Sequence, residues 1–238
     1  PNQLPPVITL GSKTATNLAQ RNKVTNLLQT RPGIEFVEGS AFHAFEDVNG
    51  YANTHLLNEH FRCHPKIARW FNSVFYGDSL FVLTDLASMT ASQRGLAWID
   101  VSGTAERAPY GRSWINRAEA RTAIDFARAL IDEGLSVGVV SPFAGQASMI
   151  QSMMESSFTR EEIVGANLMV GTAHRLQGDE RDAVIFSCCV GPSTFKSTIK
   201  WVEEQRNLVN VAVSRAKQRL VVLGHPNIDA VGSPTLAS

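Results

Sequence analysis

The chain has 238 residues, 44% of them apolar, enough for one sizeable buried core or two small ones. Lys+Arg and Asp+Glu balance at 22 each, so there is no global basic field to recruit nucleic acid, only room for a local cationic track. Cys63, Cys188 and Cys189 are too few, and odd in number, for a disulfide framework; they fit a reducing compartment, and no signal peptide or membrane-length apolar run accompanies them. Cys63-His64 has no second Cys/His pair at ligand spacing, so no metal site is expected. The chain begins at Pro1 without Met and is expected to be a fragment of a longer protein.

Residues 1–11 are Pro-rich and then apolar; residues 12–31 are polar, rich in Asn, Gln and Thr, and weakly helical. A short strand is predicted at 54–57. Residues 66–75 carry Ile67, Ala68, Trp70, Phe71, Val74 and Phe75 at helical spacing, with Pro65 suited to the first turn. A strand follows at 96–101 and a turn-rich loop at 103–111. The clearest helix covers 113–133, where Ile115, Ala118, Ala123, Ile124, Ala127, Leu130 and Ile131 form one stripe and Gly134 stops it. Residues 136–141 read as a buried parallel strand, 143–154 as a helix, and 167–171, 183–189 and 219–223 as further strands. A helix is predicted at 206–216. Strands alternating with helices at this spacing imply an α/β, mainly parallel, doubly wound sheet, with functional residues in loops beyond the carboxyl ends of strands. The tail after Gly224 reads as a linker.

Several residues in those loops suit polyanion chemistry. Arg215 stands at a helix end among Asn207, Asn210 and Ser214; its planar, permanently charged fork matches phosphate, although a lone cation there also offsets the helix dipole. Phe61-Arg62 sets an aromatic face beside a guanidinium. Gln177-Gly178-Asp179-Glu180 is a tight turn before a buried strand, where a carboxylate can accept from a ribose hydroxyl or simply be solvated. Thr172 and His174 follow one strand, and Ser141-Pro142 another. No nucleophile–base–acid arrangement for hydrolysis stands out.

Taken in order, these stretches resemble the second RecA-like domain of superfamily 1 helicases, in the nonsense-mediated-decay and Dna2-type branch. Pro1-Asn-Gln-Leu-Pro-Pro6 is similar to the end of motif III; Phe61-Arg-Cys-His-Pro65 to motif IV; Ser113, Asn116, Glu119 and Ala120 to the helix before motif IVa; Ser141-Pro-Phe143 to motif IVa; residues 170–187 to motif V; and residues 207–224 to motif VI. Two departures are that Phe61 replaces the commoner Tyr and that residues 8–40 match poorly. The resemblance implies a RecA-like three-layer domain over 1–225, with 8–40 an insertion or mobile arm and 226–238 a tail. It implies the C-terminal half of an ATP-dependent helicase, whose ATP and Mg²⁺ are held together with a first RecA-like domain of the same polypeptide. Gln3, Arg62 and Arg215 would then meet the γ-phosphate, with Arg215 as the arginine finger. Phe61 would meet adenine, and Gly178 and Glu180 the ribose and phosphate side. Ser141, Pro142, Thr172 and His174 would face single-stranded nucleic acid, DNA in preference to RNA. No phosphate-binding Gly-x-x-x-x-Gly-Lys-Ser/Thr loop occurs in the chain, so the isolated fragment is expected to be inactive. The expected location is cytoplasmic, nucleoid-associated if bacterial, with no membrane partner. The alternative is a non-catalytic α/β scaffold or nucleic-acid-binding module derived from a helicase.

Overall fold

The computed structural model describes residues 12–34, 41–50, 57–109, 111 and 113–228. The chain divides into two compact units, one covering 3–57 and the other 1–2 with 58–238. The predicted strand at 54–57 lies outside the described residues except at Leu57, which is in no strand. In the smaller unit, the weakly helical polar stretch forms α1 (Ser12–Arg21) and α2 (Thr25–Thr30); a 3₁₀ turn (Pro32–Ile34) and α3 (Ala41–Asn49) follow.

In the larger unit, β1 (Glu59–His60) pairs in parallel with β2 (Phe81–Val82), flanking α4 (Pro65–Tyr76). Next come β3 (Gly95–Asp100), the short antiparallel pair β4 (Glu106–Arg107) and β5 (Trp114–Ile115), and α5 (Arg117–Asp132). They are followed by β6 (Val137–Val140), α6 (Ala144–Ser157), α7 (Arg160–Gly165), β7 (Met169–Gly171) and β8 (Arg181–Ser187). Helices α8 (Lys196–Glu204) and α9 (Arg206–Val213) lead into β9 (Ala216–Gly224).

Five strands make one sheet in the order β3-β9-β8-β6-β7, every neighbouring pair parallel. Side chains alternate across such a sheet. Val137, Val139, Ala183, Ile185, Val221 and Leu223 fall in one buried cluster with α5 and α6. The alternate positions Val184 and Leu220, equally buried, serve the face that carries α4 and α9. Burial on both faces explains why these strands read as unbroken apolar runs. The result is the mainly parallel, helix-flanked α/β architecture expected of a RecA-like domain.

The boundaries differ where polar contacts intervene. The helix predicted over 113–133 begins only at Arg117, because Asn116 caps it, its side chain accepting from Ala118 N and Glu119 N, while Trp114–Ile115 pairs with β4. The strand predicted to end at Cys189 ends at Ser187: Cys189 adopts φ 53°, and its N–H is held by Glu119. The helix predicted to reach Ala216 ends at Val213, and β9 takes up the chain at Ala216.

Candidate functional site

The loop after β1 is pinned before any ligand arrives. Cys63 N donates to His60 Nε2 at 2.9 Å, Thr84 Oγ1 donates to Cys63 O at 2.7 Å, and His64 N donates to Lys217 O at 2.7 Å. The Cys63 thiol is wholly buried and donates to Ser214 O at 3.5 Å. His64 caps α4 by accepting from Lys66 N, with Pro65 in the first turn. This clamp leaves Phe61 60% exposed and presents Arg62 at the surface.

Arg62 Nε pairs with Glu180 Oε2 at 2.6 Å. Both side chains are more than a third exposed, so the pair contributes about 0–1 kcal/mol and can be released by a competing anion. Arg215 sits beside it at the end of α9. Its Nε donates to Val211 O at 3.1 Å and its Nη2 to Ser214 Oγ at 3.2 Å. Partial burial lowers its pKa, and the like charge of Arg62 lowers it further. Two guanidinium groups and one carboxylate thus leave one excess positive charge at a solvent-facing corner. Gly178 takes φ 84°, a conformation that glycine tolerates without strain, and turns the chain into Asp179-Glu180. The structure therefore brings Arg62, Gly178, Glu180 and Arg215 into one corner, with Phe61 adjoining Arg62 in the chain. Gln3 lies outside the described residues.

Pro142, Thr172 and His174 line a separate cleft of about 470 Å³ with Trp114, Phe143 and Trp201. Ser141 is a correction. It is 0% exposed, and its hydroxyl accepts from Phe143 N at 3.3 Å, so its side chain shapes the loop and does not face a strand.

Two supporting residues carried no assigned role in the sequence. Arg181 is buried and braces the Gly178–Glu180 turn, donating to Asn167 O (2.7 Å), Asp179 Oδ1 (2.7 Å) and Glu180 O (2.8 Å). The close packing needs Gly138, whose missing side chain leaves space for Leu176 and the Arg181 stem. Glu119 is fully buried and accepts from Ser187 Oγ (2.7 Å), Cys189 N (2.8 Å) and Asn116 Nδ2 (3.1 Å). Burial pushes its carboxyl up to about 7 against the pull of those bonds. Gln146 joins the network, donating to Asn116 O and Ser187 Oγ. The Asn-x-x-Glu spacing of a helix start was the available signal.

Among the described residues no group of three His, Cys, Asp or Glu is placed to hold a metal ion. A family model described as an AAA domain matches residues 37–227. Among curated proteins, ATP-dependent helicase upf1 of Schizosaccharomyces pombe is 27% identical over 71% of this chain and 19% of its own length. Regulator of nonsense transcripts 1 of Caenorhabditis elegans is 27% identical over 72% and 17%, and ATP-dependent helicase NAM7 of Saccharomyces cerevisiae 26% over 71% and 18%. The chain thus spans about a fifth of the length of these relatives. A solved structure titled as the C-terminal domain of a possible DNA helicase from Lactobacillus plantarum covers 74% of this chain and 92% of its own, at 14% identity and TM-score 0.45. That score is too low to carry the fold, which rests on the sheet order.

Proposed function

This chain belongs to the AAA-domain family matched over residues 37–227, and on that premise we propose that it is the C-terminal motor half of an ATP-dependent nucleic-acid helicase or translocase. The observation that carries this reading is the convergence of Arg62 and Arg215, from opposite ends of the larger unit, on one exposed corner with Glu180 between them in charge. The excess positive charge fits a polyphosphate. The donor set does not fit Mg²⁺ by itself, so the metal and the rest of the ATP site belong to a first RecA-like domain. The curated relatives, two of them named ATP-dependent helicases, support the same assignment.

In this reading ATP, when bound across the two domains, supplies the phosphoryl group that water takes. Arg215 is the arginine finger, held ready by Val211 O and Ser214 Oγ. Arg62 exchanges Glu180 for the γ-phosphate, and Gln3 senses the same group. Phe61 covers adenine, and Gly178 and Glu180 line the ribose and phosphate side. Phosphoryl transfer is chiefly positioning and electrostatic stabilisation, so this half-site needs no nucleophile of its own. Pro142, Thr172 and His174 face single-stranded nucleic acid. The relatives named for nonsense transcripts favour RNA over the DNA expected from the sequence. The proposed helicase domain covers 1–225, with 8–40 an insertion or arm and 226–238 a tail. Three free, buried cysteines suit a reducing cytoplasm, and among the described residues no helix is long and apolar enough to cross a membrane.

The test is ATP turnover. The chain alone is expected to show none. Joined to the first RecA-like domain of its polypeptide it is expected to turn over ATP on RNA or DNA strands, and Arg215→Ala is expected to lose roughly 10³-fold or more with an unchanged melting temperature. Wild-type turnover in Arg215→Ala would overturn the finger assignment, and robust turnover by the chain alone would overturn the half-site.

A further inference from the structure

The cleft of about 470 Å³ has three large aromatic residues in its lining, more than phosphate contacts alone require. Trp114 stands on β5, Phe143 at the start of α6 and Trp201 on α8. Trp201 is 39% exposed, and its ring lies 5.8 Å from that of Phe143, tilted by 36°. Trp114 is buried and fixed: its Nε1 donates to Thr198 Oγ1 at 3.0 Å, tying α8 to the wall. At the rim, the Arg107 guanidinium lies 5.1 Å from the Trp114 ring centroid and 5.7 Å from that of Phe195, which is itself 57% exposed. Thr172 and His174 add hydrogen-bonding groups to the lining.

A cavity of this size falls in the range that holds a small planar ligand, and it is too small for a helix, which is about 10 Å across. Trp114 and Phe143 are buried, and Trp201, a large aromatic left partly in water inside a concave site, marks a ligand surface. Guanidinium at the rim and aromatic rings within match the charge and the face of one nucleotide. We propose that this cleft takes one unstacked nucleobase of the bound single strand, stacked against Trp201, with the adjoining phosphate toward Arg107. The strand is then gripped at one base as well as along its phosphates. Stacking is tolerant of base identity, so this grip carries no sequence code. The inference rests on the proposed nucleic-acid reading and deepens it.

The experiment titrates the 238-residue chain with oligouridine, oligothymidine and an abasic phosphodiester strand of equal length, following tryptophan fluorescence and anisotropy. Intact strands are expected to quench the fluorescence and to bind roughly tenfold or more tighter than the abasic strand, about the worth of one stacked base. Trp201→Ala is expected to abolish that preference, and Trp201→Phe to restore most of it; circular dichroism checks that each variant is folded. The intact-versus-abasic comparison on the unaltered chain needs no variant. Equal binding of intact and abasic strands, no binding of either, or a preference that survives in folded Trp201→Ala would each overturn the cleft. None of these results touches Arg215-dependent ATP turnover in the two-domain protein, so loss of the base grip and loss of the motor reading are told apart.

Discussion

Arg181→Leu tests whether the turn bearing Gly178 and Glu180 is held from beneath. Arg181 is 1% exposed. It makes four hydrogen bonds: to Asn167 O, Asn167 Oδ1, Asp179 Oδ1 and Glu180 O, at 2.7, 3.2, 2.7 and 2.8 Å. The Asp179 side chain is 43% exposed, and Asn167 and Glu180 are exposed residues, so water can replace part of what these acceptors would lose. Leucine would leave the Asn167 and Glu180 carbonyls without that donor. A hydrogen bond to a charged group contributes ~1.5–3 kcal/mol, but removing a buried guanidinium also relieves its own desolvation. The expected net loss is ~3 kcal/mol, which in a unit of this size lowers Tm by about 6–12 °C. Urea and thermal unfolding of the chain, followed by circular dichroism, measure it. Arg181→Lys should fall between the two, because one ammonium cannot reach both the Asn167 and the Glu180 sides. A Leu variant within about 0.5 kcal/mol of wild type, the range of an ordinary surface change, would refute the bracing role.

Two further outcomes follow from buried ionisable groups. Burial holds the Glu119 carboxyl near 7, whereas the unfolded group ionises near 4.5, so between these values the folded chain binds the extra proton. Stability should therefore fall as pH rises from about 4.5 to 7, by up to ~3 kcal/mol, and level off above. Urea midpoints at pH 5 and 8 should show this slope in wild type and its loss in Glu119→Gln; a slope that persists in the variant would place its origin elsewhere. Burial also pushes the Cys63 thiol up to about 12 and those of Cys188 and Cys189 well above their ordinary value, so no native thiolate is available near pH 8. Ellman's reagent should find no fast-reacting cysteine in the native chain and three in denaturant, and a native burst of one thiol would contradict the packing of Cys63 under Arg62.

The middle of the sheet was legible because β6 and most of β8 are buried on both faces and therefore apolar, at Val137–Val140 and Ala183–Phe186. The corner that holds Arg62, Glu180 and Arg215 was legible only through the order of its motifs: neither Arg62 nor Arg215 alone distinguishes a ligand contact from a solvated charge, and their proximity is a product of the fold. The losses have local causes. The six-residue α7 is too short to show a periodic apolar stripe, although Thr159-x-x-Glu162 is a capping box whose two reciprocal bonds the structure contains. The start of α5 was misplaced because pairing with β4 outweighs the helical periodicity at Trp114–Ile115. Ser141 was misassigned because strand-end position says nothing of exposure. Arg181 and Trp201 gave no signal, one being a buried cation in an apolar strand and the other a lone aromatic on a polar helix.

The corner and the cleft are two ends of one loop, and this bears on how the proposed motor would couple strand to nucleotide. Thr172 and His174 line the cleft, Gly178 and Glu180 line the corner, and the segment between is not free to buckle. Leu176 within it is 0% exposed and lies close against Gly138 of β6, and Arg181 locks its far end to Asn167. Asp179 N and Arg175 N are also engaged, to Leu176 O and Thr172 O. In the proposed motor, a loop so pinned would carry a displacement at one end to the other, because the packed core beneath it resists compression. Since the Arg62–Glu180 pair is worth about 1 kcal/mol at most, small movements of Glu180 would be enough, in the proposed motor, to change how readily Arg62 is released to a phosphate. The weak surface ion pair is in this view the adjustable element, and the buried Leu176 and Arg181 are the rigid lever that acts on it.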